Sequence, residues 1–327
     1  YYSRNGKKED FIERWRELER LSSLTFNSNK DSPLDELFTL YMYFLRAKQR
    51  NTNTTTEALR KFYEKDTYKA LKCETTLDEL EILIKFWYDV NNQDVNRVSD
   101  KILRLLFVLN YAPNGMWYYF VSVYFMHNKH SDGTLEENAF LKFLERTIGF
   151  IWAYALTNPG VNALRTPIYR EMVNLINGKE VTFADFKFDR SNLEGIIKNY
   201  RFLNQRQITR SMITWWAYQN SQQVLLPLES KFDIEHIYAR NRVKHEPLKD
   251  EWNAELIGNK SLLEQRINIR ASDYRFADKV KYYRGLQGGK GEKEQTSISE
   301  LLTIANKKND FTEDDILNRN ETIIKGF

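Results

Sequence analysis

The sequence predicts a mainly α protein, in which regions of helical bundle are followed by a small strand-bearing element embedded in helices. Three observations carry this. Breakers are scarce, with 13 Gly and 6 Pro among 327 residues, while aromatic residues reach 14%. Few breakers and many large apolar side chains favour long helices around substantial cores. Apolar residues recur at helical spacing through the first two thirds of the chain, and a strand-like alternation first appears near Lys231.

Taken in order, Phe11, Ile12, Trp15, Leu18 and Leu21 share one helical face. Asp31-Ser32-Pro33 supplies a start for a helix over Leu34–Ala47. Thr54 and Glu57 have the spacing of a capping box for a helix over Glu57–Glu64. Further helices carry Leu77, Leu80, Leu83 and Trp87, then Val98–Leu109, with Asn91–Asn96 as the loop between them. The turn Tyr111-Ala112-Pro113-Asn114-Gly115 marks a soft boundary between a region 1–110 and a region 111–327. Helices resume at Met116–Met126, Leu135–Ala155 and Pro167–Ile176, with a break at Asn158-Pro159-Gly160, and Ile208–Tyr218 closes the helical stretch. Lys231–Tyr238 then alternates polar and apolar residues and reads as a strand. Glu255–Leu263 reads as a second strand around Gly258, and Asn268–Tyr283 as a helix. No internal repeat is present.

Composition narrows the function. Hydrophobic residues at 42% and charged residues at 29% describe a soluble folded chain. A net charge of +4 means that any nucleic-acid surface is a local patch. The single Cys73 excludes internal disulfides and Cys-rich zinc sites and suits a reducing cytoplasm. The longest apolar run, Met116–Met126, is too short to span a bilayer and reads as a buried helix. No signal peptide opens the chain, and its start at Tyr1 suggests a piece of a longer protein.

The chemistry concentrates after residue 230. A strand over Asp233-Ile234-Glu235-His236 sends Asp233 and Glu235 to one side and His236 to the other. The second arm brings Asn259, and Asn268 follows nine residues later. Hydrolysis of a phosphodiester needs a base for the water and a divalent ion for the phosphate. Imidazole serves as the base, and hard oxygen donors from Glu and Asn suit Mg²⁺. The same octapeptide also suits a solvated edge strand, and Asn259 after Gly258 also suits a turn.

As a set, Asp233-Ile234-Glu235-His236-Ile237, Ile257-Gly258-Asn259-Lys260-Ser261-Leu262-Leu263 and Asn268 resemble the HNH nuclease domain of the GmrSD-type modification-dependent (type IV) restriction enzymes. Phe276-Ala277-Asp278-Lys279, Tyr282 and the closing Asp315-Ile316-Leu317-Asn318-Arg319 also resemble that domain. The resemblance implies a small ββα-metal (HNH, His-Me finger) nuclease element over about 229–284, with His236 as general base. It implies that Glu235 and Asn268 bind Mg²⁺ (or Mn²⁺) and that Asn259 ties the loop. Ala239 stands where the family usually has Pro, and Glu235 is longer than the Asp of many HNH enzymes, which favours contact through a water. Asp10–Leu21, Leu34–Ala47 and Leu59–Tyr63 resemble the helical region that follows the family's ParB-like nucleotide-hydrolysing domain. The Asp-Gly-Gln-Gln-Arg motif of that domain is not found, so the chain is expected to be the C-terminal portion of a longer protein partnered by that domain. The phosphorothioate-sensing SspE proteins share this layout.

Between Arg266 and Lys293, eight basic residues face three acidic ones, a local charge of +5. Arg266, Arg270, Arg275, Lys279, Lys281 and Arg284 are the candidate contacts to the DNA backbone, against the plain reading of a solvated helix face. Lys279 is in addition a candidate for stabilising charge on the scissile phosphate. Gly285–Lys293 lacks the Lys-Ser/Thr ending of a phosphate-binding loop and reads as a surface loop. His127 and His130 have no third ligand nearby and read as loop residues. The resulting expectation is a cytoplasmic, Mg-dependent DNA endonuclease of an anti-phage restriction system, nicking or cutting both strands and compatible with a homo-oligomer. The alternative is a DNA-sensing or partner-binding helical module with an inactive HNH remnant.

Overall fold

The computed structural model describes residues 7–26, 32–55, 57–158, 165–285 and 293–327. Several sequence readings lie partly outside them: Asp31 of the helix start, Thr56 of the capping box, Pro159-Gly160 of the break, and residues 286–292 of the glycine-rich segment with Lys290 and Glu292. The chain is mainly α and divides into two compact units. One draws on Tyr1–Leu103, Asn114–Phe150 and Gly160–Asp185, and the other on Arg104–Pro113, Ile151–Pro159 and Phe186–Phe327.

The helices come in the order α1 (Lys8–Thr25), α2 (Pro33–Lys48), α3 (Leu59–Tyr68), α4 (Thr76–Asn91), α5 (Asp100–Leu109), α6 (Met116–Asn128), α7 (Glu137–Thr157) and α8 (Arg165–Ile176). Within the first unit, α2 starts with Pro33 in its first turn after Ser32, where a missing N–H costs nothing. Helix α6 is apolar all round and is accordingly buried from Met116 through Met126 on most of its faces. The Trp87 indole on α4 donates to Ser122 Oγ on α6 at 2.9 Å, so the large buried ring keeps its polar handle satisfied. Helix α3 begins two residues later than the sequence predicts, with Ala58 as an N-cap that makes no side-chain bond. The segment before it is claimed by other contacts. Asn51 and Asn53 accept from the backbone of Asn53 and Thr55 in turns, and the buried Arg46 guanidinium donates to the Asn53 and Thr55 carbonyls.

The second unit adds α9 (Arg190–Asn199), α10 (Gln207–Ala217), β1 (Phe232–His236), α11 (Arg240–Val243), β2 (Lys260–Glu264), α12 (Gln265–Ala271), α13 (Phe276–Tyr283), α14 (Ser299–Lys307) and α15 (Glu313–Gly326). Helix α9 starts where Asp189 accepts from Asn192 N at 2.7 Å, an N-cap that sequence reading passed over. The strands form one antiparallel ladder with Phe232 opposite Glu264 and His236 opposite Lys260. The second strand starts later than expected, because Glu251–Glu255 and Ile257–Asn259 are 3₁₀ turns. The expected helix Asn268–Tyr283 is two helices, broken where Ser272 takes a φ of 43° and Arg275 caps α13 in extended geometry.

The turn before β2 is fixed from far along the chain. Gly258 N donates to Asn320 Oδ1 at 3.2 Å, and a Cβ on Gly258 would lie 2.1 Å from the Ile316 carbonyl oxygen and 2.7 Å from Asn320 N. Arg319 donates to the carbonyls of Ile257, Gly258 and Lys260 at 3.1, 2.9 and 2.8 Å, and Glu300 holds the same guanidinium through both carboxylate oxygens at 2.8 Å. Helix α15 carries these residues and starts at a capping box between Thr312 and Asp315. A methyl group at Gly258 meets backbone, which cannot swing aside. We expect Gly258→Ala to lower unfolding stability by roughly 3 kcal/mol in urea titrations. A loss below about 0.5 kcal/mol would show that α15 does not clamp this turn.

Candidate functional site

Pleating assigns the side chains of the hairpin to two faces. Asp233 and Glu235 lie on the face covered by α12 and α13, while His236 lies on the other, directly across from Lys260. Residues paired in this way have Cβ atoms about 5 Å apart. The register alone therefore brings the His236 and Lys260 side chains together.

On the helix-covered face Glu235 is 3% exposed and accepts from Lys279 Nζ at 2.7 Å and from the Tyr283 hydroxyl. Lys279 Nζ also donates to the His236 carbonyl at 2.7 Å. Burial pushes the Glu235 carboxyl above the usual carboxylate range, against the pull of Lys279 and Tyr283, and burial raises the Tyr283 hydroxyl as well. This geometry bears on two expectations. Lys279 is 1% exposed and points at Glu235, so it presents no ammonium to a DNA backbone. Glu235 is committed to that ammonium, and a divalent ion would have to displace it. Asn268 sits in mid-helix rather than at a helix start, and its Nδ2 lies 3.4 Å from Asp233 Oδ2, both residues half-buried.

Among the described residues, no group of three or more His, Cys, Asp or Glu side chains is placed to hold a metal. Mg²⁺ needs only one or two carboxylates because it keeps most of its waters. On this face the half-buried Asp233 lies beside the Asn268 amide nitrogen, whereas Glu235 is taken up by Lys279. The structure does not bring His236 to the same face as Asp233 and Asn268.

On the opposite face His236 is 8% exposed. Its Nε2 is the acceptor for Lys260 Nζ and for Arg240 Nε, the latter at 3.1 Å, and Glu255 Oε1 stands 3.6 Å away. Burial is the main force holding the imidazole down, to about 4, with Lys260 and Arg240 adding to it and Glu255 opposing. The ring is therefore neutral at pH 7 with an Nε2 lone pair, the state a general base requires. Lys260 is fully buried and lowered to about 8, again chiefly by burial. Its ammonium also donates to Glu255 Oε2 at 2.6 Å and to Asn204 Oδ1 at 3.3 Å. Glu255 is held at about 2 by His236 and Lys260, whose pull outweighs the cost of burial, and it accepts from Arg240 as well at 3.0 Å.

Asn259 ties the loop between the strands. Fully buried, it accepts from Tyr238 N at 2.7 Å and donates to the carbonyls of Tyr238 and Ala254 at 3.0 Å each. Ile237 N adds a bond to the Asn259 carbonyl at 3.0 Å. The basic stretch is less uniform than its composition. Arg266 and Lys281 are exposed, Lys281 beside Asp278 at 2.7 Å, and Arg275 pairs with Glu246. Arg270 is half-buried, and Arg284 is turned to the Ala305 carbonyl. Sequence reading missed Asn204, Arg240, Glu255 and Lys260. The one available signal was that Lys260 follows Asn259 on the second strand and so falls opposite the end of the first.

The fold's hold on His236 has a consequence for stability. The unfolded chain binds a proton at the ordinary value of 6.5, and the folded chain refuses it until about 4. The contribution is thus intact above pH 6.5 and is lost as pH falls from about 6.5 to about 4, by up to about 3 kcal/mol. Urea unfolding between pH 7 and pH 4.5 measures the slope, and His236→Gln, which takes up no proton, should flatten it over that window. Equal slopes in the two proteins would mean that the fold does not keep this ring neutral.

Residues 187–325 match the family described as GmrSD restriction endonucleases, C-terminal domain. No curated protein and no solved structure matches the chain. The matched span contains both strands, the helices α12 and α13 that cover them, and helix α15 that clamps the turn. Over residues 187–325, which hold the hairpin and the helices packed on it, the chain is thus similar to the C-terminal domain of the GmrSD restriction endonucleases.

Proposed function

We propose that residues 229–284 are an HNH-type nuclease element that hydrolyses DNA phosphodiesters with a divalent ion, in a modification-dependent, anti-phage restriction system. The observation that supports this most directly is the neutral His236 imidazole, its Nε2 an acceptor among charged side chains at the end of β1. In this reading His236 Nε2 takes the proton of the attacking water. Asn259 keeps the loop and both strand ends in register, as its three buried side-chain bonds suit it to do. Asp233 and Asn268, rather than Glu235, are the side chains that would hold Mg²⁺ or Mn²⁺, which supplies charge stabilisation at the phosphate and the leaving oxygen. Arg266, Arg275 and Lys281 offer backbone contacts whose strength falls with salt. A nucleotide-hydrolysing domain elsewhere in the full protein is the partner that would govern cleavage.

One observation favours the second reading, a DNA- or partner-binding module without catalysis. His236 and the Asp233–Asn268 pair lie on opposite faces of the hairpin, and Glu235 is locked to Lys279. A plasmid-nicking assay with and without Mg²⁺ separates the readings. We expect Mg-dependent nicking by the wild-type protein and a loss of about 10²-fold to 10⁴-fold in His236→Ala. A variant that nicks at the wild-type rate removes His236 from the chemistry, and a wild type that binds DNA without nicking it establishes the second reading.

The metal assignment has its own test. Asp233→Asn and Asn268→Ala should raise the Mg²⁺ concentration needed for half-maximal nicking, while Glu235→Gln should act mainly on stability, because it leaves the Lys279 ammonium buried without its counter-ion. A Glu235→Gln protein of parental stability with the largest rise in Mg²⁺ requirement would return the ligand role to Glu235.

A further inference from the structure

The Lys260 ammonium has three protons and, in the folded chain, three acceptors: His236 Nε2, Glu255 Oε2 and Asn204 Oδ1. One of these acceptors is the lone pair that a general base must offer to water. In the resting arrangement the base is therefore covered by a cation, and Arg240 Nε donates to the same nitrogen. Charge makes the arrangement uneven. Lys260 and Arg240 share one carboxylate, Glu255, and His236 is neutral, so the cluster carries one positive charge in excess. An excess charge at a site where Lys260 is wholly buried is costly until an anion arrives. A phosphodiester brings one negative charge, and Arg240, half-exposed at the surface of the cluster, gives it a way in.

We propose that Lys260, with Arg240 beside it, is the phosphate-binding residue of this site, and that its ammonium leaves His236 Nε2 for the scissile phosphate when DNA binds. The base is then uncovered only in the presence of substrate. Glu255 is the resting counter-ion that keeps Lys260 charged while it waits, and Asn204 holds the third proton in place. The transfer moves a hydrogen-bond donor from nitrogen to phosphate oxygen and breaks no covalent bond. It also replaces a cation next to the imidazole by an anion a little farther off, which makes the ring a stronger base at the moment it is needed. This rests on the reading of His236 as the base.

The test uses Lys260→Met, which keeps the length and loses the charge, and Lys260→Arg, which keeps a cation. Should Lys260→Met unfold because Glu255 is left alone, the double variant Lys260→Met with Glu255→Gln removes both charges. In nicking assays we expect Lys260→Met, or the double variant, to lose at least tenfold in kcat at saturating DNA, and Lys260→Arg to recover part of that loss. The second readout needs no cleavage. In protein labelled with ¹⁵N-histidine, with the His236 signal assigned by its disappearance in His236→Gln, duplex DNA without divalent ion should shift the Nε2 resonance toward its position in DNA-free Lys260→Met. The same DNA should leave the resonance of Lys260→Met nearly in place. An Nε2 signal that does not move in the wild-type protein on saturation with DNA overturns the proposal, as does a Lys260→Met enzyme with wild-type kcat and KM. Failure of the base assignment looks different: His236→Ala then nicks normally, whatever the resonance does.

Discussion

A two-stranded ladder is barely stable alone in water, and this one carries ionisable residues on both of its faces. Each buried charge on it is paired with an opposite charge brought from another element. Glu235 meets Lys279 from α13, and Lys260 meets Glu255 from the turn before β2. Such pairs are weak sources of stability compared with apolar packing, but removing either partner strands the other in a dry place. The hairpin thus depends on α13 and on the 3₁₀ turn at Glu251–Glu255 as much as on its own hydrogen bonds. The turn that follows it, Ile257–Asn259, is fixed by Arg319, whose guanidinium donates to the carbonyls of Ile257, Gly258 and Lys260 where β2 starts.

The same pairing divides labour between the faces. The face under α12 and α13 is closed by Glu235, Lys279 and Tyr283 and behaves as core, with Asp233 and Asn268 at its half-buried margin. The opposite face keeps its charges within reach of solvent through Arg240 and carries His236, which burial holds neutral. Adjacent residues Glu235 and His236 therefore sit in different surroundings: one is bound to a helix, and the other faces Lys260, Arg240 and Glu255.

How far the sequence disclosed this can be followed residue by residue. The alternation over Lys231–Tyr238 located β1, and few breakers with helical spacing located most helices, because both signals are local. Gly258 invited a strand through itself; its actual role is a close approach to α15 some sixty residues later, which no local pattern records. Lys279 read as an exposed cation because lysines usually are, and its burial follows only from the pleat that aims Glu235 at it. The continuous helix expected over Asn268–Tyr283 failed at Ser272, where no Gly or Pro gave warning. Lys260, Glu255, Arg240 and Asn204 converge from four separate segments, so their meeting is a property of the register and of the turns, invisible before the fold is known.

Glu264, the last residue of β2, accepts from the Thr296 hydroxyl and from both the backbone and the hydroxyl of Ser297, while Thr296 N donates to the Tyr283 carbonyl at 2.9 Å. The two ends of the stretch that follows α13 are thereby riveted to the hairpin independently of what joins them. A doubling of loop length costs only about 0.6 kcal/mol in closure entropy when its ends are held elsewhere. The register of β2 is accordingly insensitive to the length of chain between Tyr283 and Thr296, because the bonds that fix it lie outside that interval.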